Sequence, residues 1–319
     1  MRRTASRGGR WQALAVAVAA GLLACPLVSG TADAGTPACF GAAARDPLRP
    51  CHNARLDNVV IPTPSEAEIT PNSPCELVPD TINLCVFGVP ASEAVGTIAL
   101  VGDSHAWHWR AAVDVVAHAF KWQGLDSTRS SCPFTQGVLV MPEPKLAGCL
   151  AWNRAVLHWF RTRPEVSTVF TSDHPGPVKT RRGQSRLDAQ VEGITRAWAA
   201  LPANVRHIVV IRDIPYMHPD TLACVEAALQ RHENAGLVCA VPRGVALHTD
   251  PDVVAAERLH SRRVEVIDPT QFFCDAHLCY PVVGGALVYR DEDHLTRSFA
   301  ATVGPYLLHA LGKLMPSWG

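Results

Sequence analysis

The chain has no excess of charge of either sign: 29 lysines and arginines balance 29 aspartates and glutamates over 319 residues. That balance excludes nucleic acid and anionic membrane as principal partners, because both are held by an excess of basic groups. Beyond its first residues the chain also lacks any run of the ~20 apolar residues that a spanning helix needs. It has no internal repeat and no low-complexity array, so a solenoid or a disordered tract is excluded as its main feature.

What is present begins with a leader. Arg2, Arg3, Arg7 and Arg10 form a basic start, Trp11 to Leu23 is a short apolar run, and Ala32-Asp33-Ala34 offers a small-residue cleavage site. Residues 1–34 therefore read as a secretory signal peptide. Leu22-Leu23-Ala24-Cys25 also looks like a bacterial lipobox, which makes a lipid anchor through Cys25 the alternative. Either way the mature chain is expected to be secreted or extracytoplasmic. Setting Cys25 aside leaves ten of the 11 cysteines, an even number that favours disulfides in an exported chain. Their spacing suggests consecutive pairs: Cys39–Cys51, Cys75–Cys85, Cys132–Cys149, Cys224–Cys239 and Cys274–Cys279. A zinc site at Cys274, His277 and Cys279 would need a second close ligand pair, and none accompanies it.

Residues 35–95 are rich in proline and polar side chains without a sustained period, and are expected to form an irregular, disulfide-clamped extension. Over 96–319 the texture alternates. Thr97–Val101, Gly124–Arg129, Val166–Thr171, His207–Ile211 and Arg263–Ile267 read as strands. Ser104–Phe120, Cys149–Arg163, Arg186–Leu201 and Leu295–Leu314 read as helices. Strands that are unbroken apolar runs, separated by helices, imply a parallel sheet covered on both faces. Ligands of such sheets bind beyond the carboxyl ends of the strands, where Ser104, Asp173 and Asp213 fall.

Two runs carry the chemistry. Val101-Gly102-Asp103-Ser104-His105-Ala106 places a serine at a strand-to-helix turn, and Tyr289-Arg290-Asp291-Glu292-Asp293-His294-Leu295-Thr296 precedes the last helix. The plainer role for Ser104 is a helix cap, since serine ranks high there. The aspartate and histidine of the second run can instead supply a base and its orienting carboxylate. With Cys132, Cys149 and Trp152, Asp213-x-Pro215, Cys224 and Cys239, and Cys274 and Cys279, this order resembles the SGNH hydrolase superfamily. More narrowly it resembles the extracytoplasmic SGNH domain of acyltransferase-3 proteins that acetylate surface polysaccharides, over roughly residues 96–315. The resemblance implies a three-layer α/β/α sandwich, flavodoxin-like, with Ser104 as nucleophile, His294 as base and Asp291 orienting it. Asp293 reads as a cap or a surface charge.

The match departs at the oxyanion hole. The superfamily adds a glycine and an asparagine to the serine N–H, whereas the loops here read Ser130-Ser131-Cys132-Pro133 and Ser172-Asp173-His174. Ser131 and Ser172 are the candidate substitutes, and His105 and Trp107 are candidate substrate contacts, Trp107 either as a sugar platform or as packing. Asp103, His105 and His108 invite a metal reading, but a metallophosphoesterase also needs Gly-Asp-x-x-Asp and Gly-Asn-His blocks, which are missing. Neither metal nor cofactor is expected. Arg181-Arg182 reads as a solvated turn that could also touch an acidic glycan. The expected activity is an exported esterase or acyltransferase acting on O-acyl, most simply O-acetyl, groups of cell-envelope carbohydrate. Its expected partners are an acylated glycan and a membrane acyltransferase in trans. The competing reading is a non-catalytic carbohydrate-binding or scaffold module that kept the fold. A base with the ordinary histidine pKa would make activity decline as pH falls through roughly 6 to 7.

Overall fold

Residues 36–78 and 82–318 are described in a computed structural model; the expected leader, with Cys25, lies outside the described residues. In chain order the central sheet is built from β1 (Glu76–Leu77), β2 (Cys85–Gly88), β3 (Gly96–Gly102), β4 (Trp122–Thr128), β5 (Val166–Ser172), β6 (His207–Ile211) and β7 (Val264–Ile267). Across the sheet they run β1-β2-β4-β3-β5-β6-β7. Strands β3 to β7 pair in parallel, in the strand order of a flavodoxin-like doubly wound sheet. The helices that matter here are α1 (Ser104–His108), α2 (Arg110–Phe120), α3 (Lys145–Arg161), α4 (Arg186–Ala200), α5 (Pro251–Leu259) and α6 (Arg297–Leu314).

The unbroken apolar strands follow from burial on both faces. Successive side chains point to opposite sides of a strand, so Ile98, Leu100, Phe170, Val209 and Ile211 pack with Val113 of α2 and Phe299 and Leu307 of α6. Their neighbours Ala99, Val101, Val169, Ile208 and Val210 pack with Phe160 of α3 and Ile194 and Trp198 of α4. The result is a mixed three-layer sandwich. Each fully buried Leu, Ile or Phe contributes about 1.5–3 kcal/mol. The single helix expected over Ser104–Phe120 is two helices, because the Trp109 N–H donates to Ala106 O at 3.0 Å and tightens the chain there.

The N-terminal extension differs from its reading as irregular. Strand β2 joins the sheet antiparallel to β4, and β1 pairs antiparallel with β2. Strands of two and four residues are too short for a period of two to show in sequence. The contact is close: a Cβ on Gly124 would lie 2.3 Å from the Phe87 ring, so only glycine fits under that side chain. The five disulfides are Cys39–Cys51, Cys75–Cys85, Cys132–Cys149, Cys224–Cys239 and Cys274–Cys279. Cys132–Cys149 ties the loop after β4 to α3, and Cys75–Cys85 staples the sheet edge to the chain preceding it.

Beyond the carboxyl ends of the strands lies a set of buried carboxylates: Asp103, Asp173, Asp213, Asp250 and Asp252. Asp250 caps α5, accepting from the N–H groups of Asp252 (2.8 Å) and Val253 (3.3 Å), and it also accepts from Asp213 N–H at 2.8 Å. Asp252 differs, because both of its carboxylate oxygens are buried without a partner. Burial, reinforced by the neighbouring Asp173 and Asp250, pushes its pKa well above the ordinary 3.8. A raised carboxyl pKa means that the folded state holds a proton that the unfolded chain releases. Its contribution therefore turns against folding as pH rises above 3.8 toward the folded value. Asp252→Asn should accordingly raise the melting temperature by a few degrees at pH 7, with a smaller gap at pH 4. Melting curves of both proteins at the two pH values test this, and a gap that is no larger at pH 7 would contradict the assignment.

Candidate active site

The nucleophile candidate is held by a turn that the sequence makes strained. Gly102 ends β3 at φ +149°, and a Cβ there would meet Ser172 O at 2.7 Å and both Ala106 Cβ and Asp173 Oδ1 at 2.8 Å. Asp103 follows as the cap of α1. Its Oδ1 accepts from His105 N–H (2.8 Å) and its Oδ2 from His174 N–H (3.1 Å). Asp173 reciprocates, accepting from Asp103 N–H (2.8 Å) and Phe134 N–H (3.1 Å). Two carboxylates thereby tie together the loops after β3, β4 and β5. Burial pushes Asp103 up to about 6 despite the opposing pull of His105, and pushes Asp173 well above its ordinary value, with the Asp103 charge adding to it.

His294 arrives from a turn closed by Asp291, whose Oδ1 accepts from Asp293 N–H (3.0 Å) and His294 N–H (2.7 Å). Thr296 then caps α6 by accepting from Phe299 N–H at 3.1 Å. His294 Nε2 lies 2.9 Å from Ser104 Oγ. Its Nδ1 sits 2.9 and 3.0 Å from the two Asp291 oxygens, and also 2.9 Å from Asp293 Oδ1. Asp293 is therefore not a bare cap or surface charge: it faces the imidazole alongside Asp291, and its other oxygen lies 3.9 Å from His105 and 3.8 Å from His174. Burial disfavours the His294 cation, but the two carboxylates outweigh it and push the pKa up to about 10. At neutral pH the ring is an imidazolium whose Nε2–H points at Ser104. The base form appears as that proton leaves.

A second histidine–carboxylate pair lies beneath. His105 Nδ1 is 2.6 Å from Asp213 Oδ1, with both side chains buried. Burial opposes the His105 cation, yet Asp213 raises its pKa to about 9. Asp213 also accepts from Tyr216 OH (2.7 Å) and faces His248 Nε2 (3.2 Å). For Asp213 burial works toward the neutral form, but His105 wins and holds it below its ordinary value. His108 and His174 are pushed the other way by burial and by the His105 charge, so both are neutral. Two sets of ligating type converge on His105, one with His108 and Asp213 and one with Asp293 and His294. Cys274 and Cys279 are joined to each other, so neither thiolate is free to bind zinc.

Two clefts meet at Ser104 and His294. One, of ≈ 450 Å³, is lined also by Trp107, Thr128, Ser130, Arg290 and Asp291. The other, of ≈ 360 Å³, runs past Ser131, Pro133, Leu139, Met141, His174 and Asp293. Of the candidate contacts, Trp107 and Ser131 thus line a cleft, Ser131 with left-handed backbone at φ +59°. His105 lines the second cleft but is committed to Asp213. Ser172 is buried at the end of β5, its hydroxyl without a partner, and lines neither cleft. Arg181 pairs with Glu192 on the surface. Sequence reasoning missed Asp293 and Arg290 as site residues; their adjacency to Asp291 and His294 was the available signal.

The sequence matches the family model described as SGNH domain (fused to AT3 domains) over residues 70–309, and the chain belongs to that family. The match begins inside the N-terminal segment, ahead of β1. Comparison with curated proteins finds no match. Among solved structures, the chain is similar to the lipopolysaccharide acetyltransferase periplasmic domain of Salmonella ser. Paratyphi A. The TM-score is 0.52 at 12% identity, over 70% of this chain and 90% of that one, a likeness of fold.

The geometry yields two expectations. Because two carboxylates share one imidazole face, Asp291→Asn and Asp293→Asn should each cost no more than roughly 10²-fold in kcat/KM, and the double variant about 10⁴-fold. Ester-hydrolysis kinetics of the three variants decide it; a full loss from Asp291→Asn alone would mean that Asp293 does not share the task. Because the pKa of His294 is raised, the unprotonated fraction grows until pH passes about 10. Background-corrected kcat/KM should therefore keep rising from pH 6 to 9 instead of levelling above 7, and a plateau from pH 7 would contradict the raised value.

Proposed function

We propose that the chain is an extracytoplasmic serine esterase or acyltransferase that moves an acyl group, acetyl in the simplest case, on a hydroxyl of a cell-envelope carbohydrate. The observation that carries this reading is the 2.9 Å approach of His294 Nε2 to Ser104 Oγ, with carboxylates on the opposite ring nitrogen. Membership of a family described as fused to AT3 domains supports acyl chemistry, and the structural neighbour, an acetyltransferase periplasmic domain, agrees with it. Five disulfides favour an oxidising compartment. Among the described residues no helix is long and apolar enough to cross a membrane.

The reaction runs as follows. His294, once neutral, takes the Ser104 hydroxyl proton as Oγ attacks the ester carbonyl. Asp291 and Asp293 hold the ring by its Nδ1–H and stabilise the imidazolium. As donors to the developing oxyanion we assign the backbone N–H groups of Ser104 and Ser131, which line one cleft, in place of the missing asparagine. Collapse of the tetrahedral intermediate expels the alcohol, which takes the proton from His294 and leaves an acyl-Ser104 ester. A water or a sugar hydroxyl, deprotonated by His294, then attacks that ester and restores Ser104. In the transferase direction an AT3-type membrane protein is the acyl donor we assign.

An aryl or alkyl fluorophosphonate should label the wild type on Ser104, and Ser104→Ala should lose both labelling and acetyl-ester hydrolysis by about 10⁴-fold or more while melting normally. Peptide mapping of the adduct provides the check. Labelling elsewhere, or none, would favour a binding module that retains the fold.

A further inference from the structure

The cleft on the Trp107 side of Ser104 contains a cation for which the acyl-transfer chemistry has no use. Arg290 immediately precedes Asp291 and lines that cleft with Ser104, Trp107 and His294. Its guanidinium is held from behind: a terminal N–H donates to Glu68 O at 2.9 Å, and its Cζ lies 5.9 Å from the centre of the Trp107 ring. Among the described residues it has no carboxylate partner. Asp291, the nearest acid in sequence, has both oxygens turned to His294.

Two other arginines are arranged differently. Arg110 lies 6.0 Å from the same Trp107 ring, but is buried and paired with Asp126 at 2.7 Å. Arg181 is paired with Glu192 outside both clefts. Arg290 is thus an anchored, partly exposed guanidinium without a counter-ion, on the wall of a cleft that leads to the nucleophile. A planar guanidinium fork fits a carboxylate or a phosphate, which it can bind through two parallel hydrogen bonds. The indole beside it offers a flat amphipathic surface of the size of a sugar ring.

We propose that the carbohydrate acted on at Ser104 carries a negative charge close to the esterified hydroxyl, and that Arg290 binds this charge while Trp107 supports the ring. The inference rests on the reading of Ser104 as the acyl-transfer nucleophile. The substrate class is an anionic glycan, its charge a uronate carboxylate or a sugar phosphate. Arg290 discriminates between substrates and takes no part in the covalent steps.

The test compares three acetyl esters of one sugar, as the methyl glycoside: neutral, uronate and 6-phosphate. Each is assayed with wild type, Arg290→Gln, Arg290→Lys and Arg181→Gln. Wild type should favour at least one anionic ester over the neutral one by about 10- to 100-fold in kcat/KM, the worth of one charge-assisted hydrogen bond. Whichever anion is preferred identifies the group. Arg290→Gln should bring the anionic-to-neutral ratio near one, Arg290→Lys should restore part of it, and Arg181→Gln should leave it intact. The ratio is the readout, because a general loss of activity lowers both rates together. An unchanged ratio in Arg290→Gln, or wild-type indifference to charge, overturns the proposal. Saturation-transfer NMR of methyl glucuronide and of the sugar phosphate with Ser104→Ala protein separates the two readings. Arg290-dependent binding without turnover of any ester would keep the anion site and remove the acyl-transfer reading, whereas turnover without charge preference would do the reverse.

Discussion

The crossed bonds of Asp103 and Asp173 are the constraint on which the rest of the site depends. Each carboxylate accepts backbone N–H groups from a loop other than its own, so that the chain ends of three parallel strands become one rigid rim. Ser104 sits half-buried at that rim because Gly102 lets β3 turn within 2.8 Å of Asp173. Buried carboxylates are costly unless they are satisfied. Here they satisfy the N–H groups that loops leave open, and burial raises their pKa values toward the protonated range.

Charge around Ser104 is arranged in two tiers. The upper tier is His294 with Asp291 and Asp293, the lower tier His105 with Asp213, and the two imidazole centroids are 5.0 Å apart. Two cations at that distance would repel strongly without the carboxylates between and beside them. Asp293 lies at the junction, in contact with His294 and within 3.9 Å of both His105 and His174. Burial, reinforced by the positive charge of the lower tier, lowers the pKa values of His174 and His108, so the second cleft presents an uncharged imidazole beside Ser104.

The N-terminal segment belongs to the site as much as to the fold. Arg110 donates to Ser73 O at 3.1 Å while it pairs with Asp126 of β4, and so pins the segment to the sheet. Asn72 donates to Trp107 O at 2.5 Å, and Glu68 O receives Arg290. The wall of the Trp107 cleft is therefore supported by chain that precedes the first long parallel strand. The family match beginning at residue 70 is consistent with that support.

Local patterns were legible in the sequence because their causes are local. Unbroken apolar runs such as His207–Ile211 announce strands covered on both faces, and Ser104, directly after one such run and opening a helix, announces a strand-to-helix turn. Cysteines 5 to 17 residues apart can meet without help from distant chain. The pairing of β2 with β4 was not legible, because a four-residue strand acquires its identity from the neighbour that it joins. Nor was the partnership of Asp293 with His294 and of His105 with Asp213, which is 108 residues away. The residue types that can do acyl chemistry, and their order along the chain, are properties of the sequence by itself. Which carboxylate faces which imidazole, which cation is left unpaired, and how far each pKa moves are set by through-space distance and burial, and those exist only once the chain has folded.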